Sequence, residues 1–473
     1  MLKYFFWTAF EKLGSQIINL LVQILLARIL APEIFGLIAL IQIFIAVAQV
    51  IVEAGIGNYI IQKKELYKSD ISTSLVINLF LSIIIYLILF FTAPIISGFY
   101  NQIILIDVLR IYSFAFIFQS LYVTNQAIFQ RNLKFKSIAY ISLVSSIISA
   151  ILSIFFVYFY KSVYILVLQQ LVFHLVKAVL FTYYGSENIL FKFSKESFQS
   201  IYKYSSYLLL IGILNQIFDY SYLIVIGKLF KIEQAGFYHV SFMLVGFVMV
   251  TISLIVEKVS FPILSKLFHT SIIKFKEKLF LFSNLSILLI TTSSFIFSVY
   301  SFEILSLIYG EKWIDASVMF SYISLGFLVF PISIMSITIF KIKGNTNTYF
   351  YTSIFSKLLI IVSILLTYKS SIENILIAQI IVAFLSSLIF TSFACKSISI
   401  SLNEFIFNHL NITLLLISYV IVQLFIKQFL DIFFILEIII SILITYYLNT
   451  FMKMYDFKKL ISQISNFNLK IIK

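Results

Sequence analysis

The chain has 473 residues, of which 61% are hydrophobic and only 11% charged, with a mean hydropathy of +1.06. So much apolar surface cannot be enclosed in one soluble core, which excludes a soluble domain and points to a bilayer. The formal net charge of +14 would suit a nucleic-acid partner only if a soluble domain carried a basic face; none is visible, and no nucleic acid is expected.

Apolar runs of about twenty residues recur along the chain, too long for the short alternating segments of a transmembrane barrel. The expected fold is therefore all-α, with fourteen membrane helices over 7–30, 35–57, 71–94, 107–130, 138–160, 162–184, 204–228, 235–257, 279–300, 315–340, 348–368, 372–394, 409–428 and 430–452. The opening M-L-K-Y-F-F-W carries one lysine, no small-residue cleavage site follows, and the run continues for a full span, so it is expected to be a retained helix. Cys395 is the only cysteine, which excludes a disulfide framework and a thiolate metal cluster.

Lys and Arg in short loops stay cytoplasmic. Placing both termini inside puts 23 of the 34 bases on that side and 6 outside, with the other 5 (Lys12, Arg28, Arg110, Lys177 and Lys357) in spans. The net charge then reads as a topology signal.

Two blocks two hundred residues apart share a register. Arg28–Leu37 reads R-I-L-A-P-E-I-F-G-L and Lys228–Phe237 reads K-L-F-K-I-E-Q-A-G-F, so that a base, an acid (Glu33, Glu233) and a glycine (Gly36, Gly236) coincide. An even number of helices separates them, which implies a parallel repeat of six spans per half. The expected organisation is a six-helix bundle over 1–190, a cytoplasmic linker over 191–203, a second six-helix bundle over 204–396, two further helices over 397–452 and a cytoplasmic amphipathic tail over 453–473. In that tail Phe457, Leu460, Ile461, Ile464, Phe467 and Ile471 recur at helical spacing among lysines, as in a helix lying on anionic membrane lipids. Arg28 and Lys228 are expected to anchor helix ends, with Gly36 and Gly236 allowing close packing where the next helix begins.

Ionisable and amide side chains at membrane depth are costly and mark candidate pathways. On span one Lys12, Gln16, Asn19 and Gln23 line one side of a helix, and span seven repeats part of that stripe with Asn215, Gln216 and Asp219. Span six carries Gln170, His174 and Lys177, span four Gln119, Gln126 and Gln130, and span eleven Lys357. One reading is a hydrated cavity in which Lys12, Lys177 and Lys357 attract an anionic head group while the amides bind hydroxyls. The other is that the amides join helices and Lys12 snorkels to the interface beside Glu11. Glu53 and Asp219 admit two roles, counter-ions to the lysines or protonatable groups coupling transport to a proton or sodium gradient. His174 either titrates or is a satisfied packing residue. No G-x-x-x-x-G-K-[ST], H-E-x-x-H or C-x-x-C pattern is present, so neither ATP hydrolysis nor zinc chemistry is expected, and no cofactor or metal is assigned.

The segments F-E-K-L-G-S-Q from Phe10, L-A-R-I-L-A-P-E-I-F-G-L from Leu26, E-A-G-I-G-N-Y-I-I-Q-K-K from Glu53, I-G-K-L-F-K-I-E-Q-A-G-F-Y from Ile226 and F-P-I-L-S-K-L from Phe261 together resemble the oligosaccharide flippase family. This is the lipopolysaccharide, O-antigen and teichuronic-acid exporter group of the multidrug/oligosaccharidyl-lipid/polysaccharide superfamily. The resemblance implies a two-bundle transporter in the bacterial cytoplasmic membrane. It would move polyprenyl-pyrophosphate-linked oligosaccharide units to the outer leaflet by alternating access, working beside polysaccharide polymerases and glycosyltransferases. Relatives that flip the peptidoglycan precursor use cavity arginines for the pyrophosphate; here the deeper bases are lysines. The rival readings are a cation-coupled exporter of drugs or small metabolites on the same fold, and a membrane glycan polymerase or ligase. The latter should have a long external loop, whereas the link near Tyr300 to Asp315 is short. A non-enzymatic carrier is the expectation.

Overall fold

A computed structural model describes residues 2–53, 56–185, 193–429 and 433–452 of the chain. Among them every regular element is a helix: α1 (Leu2–Ile29), α2 (Pro32–Glu53), α3 (Ile56–Gln62), α4 (Lys68–Tyr100), α5 (Leu105–Arg131), α6 (Phe135–Val157), α7 (Tyr164–Tyr184), α8 (Lys195–Asp219), α9 (Ser221–Leu229), α10 (Ile232–Thr270), α11 (Ile272–Val299), α12 (Ser301–Tyr309), α13 (Ser317–Gly326), α14 (Phe330–Lys343), α15 (Thr346–Thr367), α16 (Ile372–Ser397), α17 (Leu402–Phe429) and α18 (Phe434–Met452). Twelve spans among the described residues are long and apolar enough to cross a membrane. One more is broken between Asp219 and Ser221 with a 42° bend, and Phe434–Asn449 is a shorter apolar helix. Each of the fourteen expected runs thus has a helical counterpart. The amphipathic tail expected over 453–473 lies outside the described residues.

The repeat is visible in the helix ends. α1 stops at Ile29 and α2 starts at Pro32; α9 stops at Leu229 and α10 starts at Ile232, the same offset of two hundred. Contacts divide the chain into two compact units, Met1–His239 with Ile308–Trp313, and Val240–Leu307 with Ile314–Lys473. In the first, α5 packs on α4 and α7, and α6 on α1 and α7; in the second, α16 receives α14 and α15, and α11 lies against α13 and α14. The contacts of α5 with α4 and α7, and of α6 with α7, thus have counterparts in those of α14 with α11 and α16, and of α15 with α16. The linker expected over 191–203 is helical from Lys195 onward, where the Ser194 hydroxyl caps α8 by accepting from the Ser197 amide at 3.3 Å.

Apolar side chains such as Phe91 (70% exposed), Ile95 and Leu366 point outward, as they must where the solvent is lipid. Small residues serve the interior. α6 buries Ser142, Ser145, Ser146, Ser149 and Ser153, and four of these hydroxyls bond back to carbonyls three or four residues earlier, so close packing leaves few polar atoms stranded. Where α2 and α10 begin, a Cβ on Gly36 would collide with the Ile232 carbonyl, and one on Gly236 with the Pro32 carbonyl. The repeated glycines are where the two copies of the block touch.

The bases of these blocks end helices. Lys228 donates to the Phe99 carbonyl in the last turn of α4, Arg28 to Ile308 near the end of α12, and Lys312 to Arg28 and Ile29 at the end of α1. Lys427 donates to Val299 and Lys343 to Ser397, the last residues of α11 and α16. In α4, Pro94 has no N–H to give the Phe90 carbonyl, and Arg110 supplies the donor at 3.3 Å while its guanidinium lies 4.2 Å from the Phe90 ring. A cation at a helix C-terminus meets both the unsatisfied carbonyls and the negative end of the dipole.

Arg131 is the fullest case: its guanidinium takes the carbonyls of Ile60 (2.6 Å), Ile61, Lys63 and Lys64 (2.9 Å), closing α3. Nearby Lys63 pairs with Asp70 at 2.8 Å. Burial lowers the Lys63 pKa, but the bonds to Asp70 and Tyr59 outweigh it and hold the ammonium above the ordinary lysine value. Arg131→Ala should strip four carbonyls of their donor and cost about 1–3 kcal/mol. Thermal unfolding in detergent should show the loss, and Arg131→Lys, lacking the fork, should recover only part of it.

The link expected between Tyr300 and Asp315 is not a free loop. It forms α12 and a 3-10 turn over Glu311–Ala316, and Trp313 is fully buried in the first unit. Its Nε1 donates to the Ala27 carbonyl at 2.8 Å and its ring meets Phe35 edge-on at 5.3 Å.

Candidate functional site

The first unit carries an open cavity of about 550 Å³ among α2, α3, α5, α7 and the Leu209 region of α8. α5 supplies Gln119, Tyr122, Gln126 and Gln130, which fall on one helical face at spacings of three and four. α2 contributes Gln49 and Glu53, α3 contributes Gly57 and Asn58, and α7 contributes Phe173, His174 and Lys177. Its size falls within the roughly 300 to 1,000 Å³ usual for small-molecule sites.

On one wall the Glu53 carboxylate accepts from Gln49 Nε2 at 3.1 Å and Gln119 Nε2 at 3.3 Å, which leaves the buried Gln119 Oε1 without a partner. On the other, the Tyr122 hydroxyl and His174 Nδ1 are 3.0 Å apart, so one imidazole nitrogen is engaged. Lys177 is only 8% exposed. Its ammonium lies 4.7 Å from the centre of the Tyr122 ring and 5.4 Å from that of Phe173, and it makes no ion pair within 4 Å among the described residues. Glu11 and Glu53 act on it only through their fields. The arrangement combines a buried cation that no carboxylate contacts directly with the Glu53 carboxylate, amides, a phenol and an imidazole. Such a lining suits an anionic group joined to something rich in hydroxyls.

Of the residues singled out from sequence, His174, Lys177 and Glu53 meet in this cavity, together with the glutamines of span four. The α1 stripe does not line it. Lys12 is exposed, Gln16 and Asn19 are half-buried, and Gln23 Nε2 donates to the buried Gln169 Oε1 at 3.1 Å, joining α1 to α7. Gln170 is half-buried on α7 outside the lining. Asn215, Gln216 and Asp219 occupy the last turns of α8, just before the bend at Tyr220, and Lys357 is half-buried on α15 in the second unit. Sequence reasoning missed Gln49, Asn58 and Tyr122. Gln49 stands one turn before Glu53, so the acid itself pointed to it; Asn58 lay in the G-N of the Glu53 segment; Tyr122 carried no signal, because a tyrosine among so many aromatics is unremarked.

Residues 25–318, more than half of the chain, match the family described as polysaccharide biosynthesis protein. The chain belongs to that family. Proteins similar to it include the teichuronic acid biosynthesis protein TuaB of Bacillus subtilis, 22% identical over 308 residues, covering 64% of this chain and 63% of TuaB. The lipopolysaccharide biosynthesis protein WzxC of Escherichia coli is 24% identical over 311 residues, covering 65% of this chain and 63% of WzxC. The match thus spans just under two thirds of each curated relative's length. Among solved structures, the lipid II flippase MurJ in an inward closed conformation superposes with a TM-score of 0.75 at 18% identity, over 96% of this chain and 99% of MurJ. An inward-facing multidrug resistance MATE transporter gives 0.63 at 13% identity over 81% and 94%. This family member has the MurJ/MATE fold and is a multi-pass membrane protein.

Proposed function

We propose that the chain is a flippase, which moves polyprenyl-pyrophosphate-linked oligosaccharide units across the cytoplasmic membrane by alternating access for surface polysaccharide synthesis. The observation that carries this reading is Lys177, a buried cation without an ion pair among the described residues, in a cavity lined also by the amides of Gln49, Asn58, Gln119, Gln126 and Gln130 and by the Glu53 carboxylate. A pyrophosphate is the anion that such a lysine can neutralise, and sugar hydroxyls are the groups that glutamine and asparagine side chains bind in both directions. Membership of a polysaccharide biosynthesis family and a fold shared with a lipid II flippase support it. The protein is then a carrier, not an enzyme, with both termini cytoplasmic. Its partners are the lipid-linked oligosaccharide, membrane lipids, and the polymerase and glycosyltransferases that use and make that substrate.

Cation-coupled export of drugs or small metabolites is the second reading, favoured by the multidrug transporter fold. A lysine facing the cavity with no ion pair opposes a cationic cargo. The two are separated by reconstituting the chain in liposomes and following a fluorescent polyprenyl-pyrophosphate-oligosaccharide and a fluorescent lipophilic cation in parallel. Leaflet exchange of the first and not the second is expected; the reverse would overturn the proposal.

A further inference from the structure

α7 presents two nitrogens to the cavity of the first unit. His174 and Lys177 stand three residues apart, on one side of the helix. Neither Lys177 Nζ nor His174 Nε2 has a hydrogen-bond partner among the described residues, and neither is enclosed, so both open onto the cavity. The other imidazole nitrogen is occupied, for Nδ1 lies 3.0 Å from the Tyr122 hydroxyl. Tyr122 is 4% exposed, and its ring lies nearly parallel to those of His174 and Phe181, at 6.0 and 5.9 Å. Packing thus fixes where its hydroxyl points.

Which partner donates follows from acid and base strength. A phenol O–H is a stronger donor than the N–H of a neutral imidazole, and an imidazole nitrogen is a stronger acceptor than a phenol oxygen. The Lys177 ammonium, 4.7 Å from the centre of the Tyr122 ring, adds to the difference by drawing charge from the phenol. Tyr122 therefore donates to Nδ1, which places the imidazole proton on Nε2. The reverse arrangement would leave the Tyr122 O–H without an acceptor, since it makes no other hydrogen bond among the described residues. Charge then decides where an anion lies. Glu53, on the α2 wall, uses Oε1 for both Gln49 and Gln119 and repels it; Lys177 and the Nε2–H of His174 offer only donors.

We propose that Lys177 Nζ and His174 Nε2 together form the anion subsite of the cavity, which takes a diphosphate ester, and that Tyr122 is the positioning residue that sets the imidazole tautomer. For its ligand the subsite rests on the flippase reading, and it deepens that reading by orienting the substrate. A lysine alone is a point charge without directional preference. With a second donor one helical turn away, two oxygens of one diphosphate are bound and its axis is laid along α7.

Nitrogen-15 NMR of the full chain, labelled at histidine and held in detergent, tests this. His174 is expected to be protonated at Nε2 and bare at Nδ1. Added inorganic pyrophosphate should move the Nε2 signal in the wild type and not in Lys177→Met. The opposite tautomer, protons on both nitrogens, or an Nε2 signal that pyrophosphate leaves in place would overturn the proposal. A response to phosphatidylglycerol and none to pyrophosphate would also overturn it, assigning the donors to a phospholipid head group. Tyr122→Phe is expected to show both tautomers; a single, unchanged tautomer would strike out the positioning role. His174→Leu should weaken pyrophosphate binding by roughly tenfold, and His174→Gln, whose amide N–H comes near the place of Nε2–H, should restore most of it. Equal binding by wild type and both variants would count against the subsite. The His174 signal is identified by its loss in His174→Gln or, should that variant fail to fold, by replacing His239, His269 and His409, the other histidines of the chain. None of these readings involves transport. A pyrophosphate response in a protein that flips no lipid would leave the subsite and remove the flippase, and flipping without the response would do the reverse.

Discussion

Lys177→Met should lower the rate of lipid-linked oligosaccharide flipping by tenfold or more while leaving the protein as stable as before, or more so. The two effects are predicted in opposite directions because the lysine has no structural partner. Its ammonium is buried over two rings, and a cation–π contact supplies about 2 kcal/mol at best, against a penalty of several kcal/mol for removing an ion from water. Methionine fills similar volume without that penalty. A lysine kept for packing would give a variant that transports normally; one kept for an anion would give a stable variant that does not. A tenfold loss corresponds to only about 1.4 kcal/mol of transition-state stabilisation, well within what one charge-assisted bond to a phosphate supplies. Unfolding in detergent and leaflet exchange in liposomes, measured on the same preparation, separate the outcomes. Unchanged exchange would remove Lys177 from the mechanism.

Gly36→Val should be the most damaging single change to the fold. The obstacle is the Ile232 backbone carbonyl, fixed at the start of α10, so no rotamer change makes room. A cost of about 3 kcal/mol or more is expected, at the upper end of what overpacking does. Gly236→Val should behave alike, since its Cβ would meet the Pro32 carbonyl and the Gly36 nitrogen. Gly246→Ala, with nothing within 4 Å of the added methyl, should be neutral or gain about 0.4–1 kcal/mol through the unfolded chain. Thermal unfolding of the three variants checks this. Equal stability of Gly36→Val and Gly246→Ala would contradict the close crossing of α2 and α10.

Hydropathy made the helices legible, because in a bilayer length and apolarity are nearly sufficient conditions for a span. The repeat was legible as well, since Gly36 and Gly236 are needed at the same structural place. Sequence assigned the bases less fully. Arg131, Lys228 and Lys427 could be counted on one side of the membrane or the other and Arg110 placed within a span, but what each does is decided by the carbonyl that another helix leaves unsatisfied, such as that of Phe90 opposite Pro94. No local pattern encodes that partner. The same holds for the site. A stripe on α1 and a stripe on α5 look equivalent in sequence, yet Gln23 is spent on Gln169 while Gln119, Gln126 and Gln130 face a cavity. Which polar face receives a helix and which receives space depends on packing between distant elements.

Photo-crosslinking from the cavity wall tests the central claim most directly. With a benzoylphenylalanine at position 126, in place of the cavity-lining Gln126, in membranes from cells that make the lipid-linked oligosaccharide, irradiation should attach that lipid to the protein. The same group replacing Val179, which is 58% exposed on α7, should capture bulk phospholipid and no glycan. Glycan-bearing lipid captured at 126, and less of it when Lys177→Met is added, is the result expected of a flippase whose substrate occupies this cavity; capture that is absent at 126, or equal at 126 and 179, would contradict it.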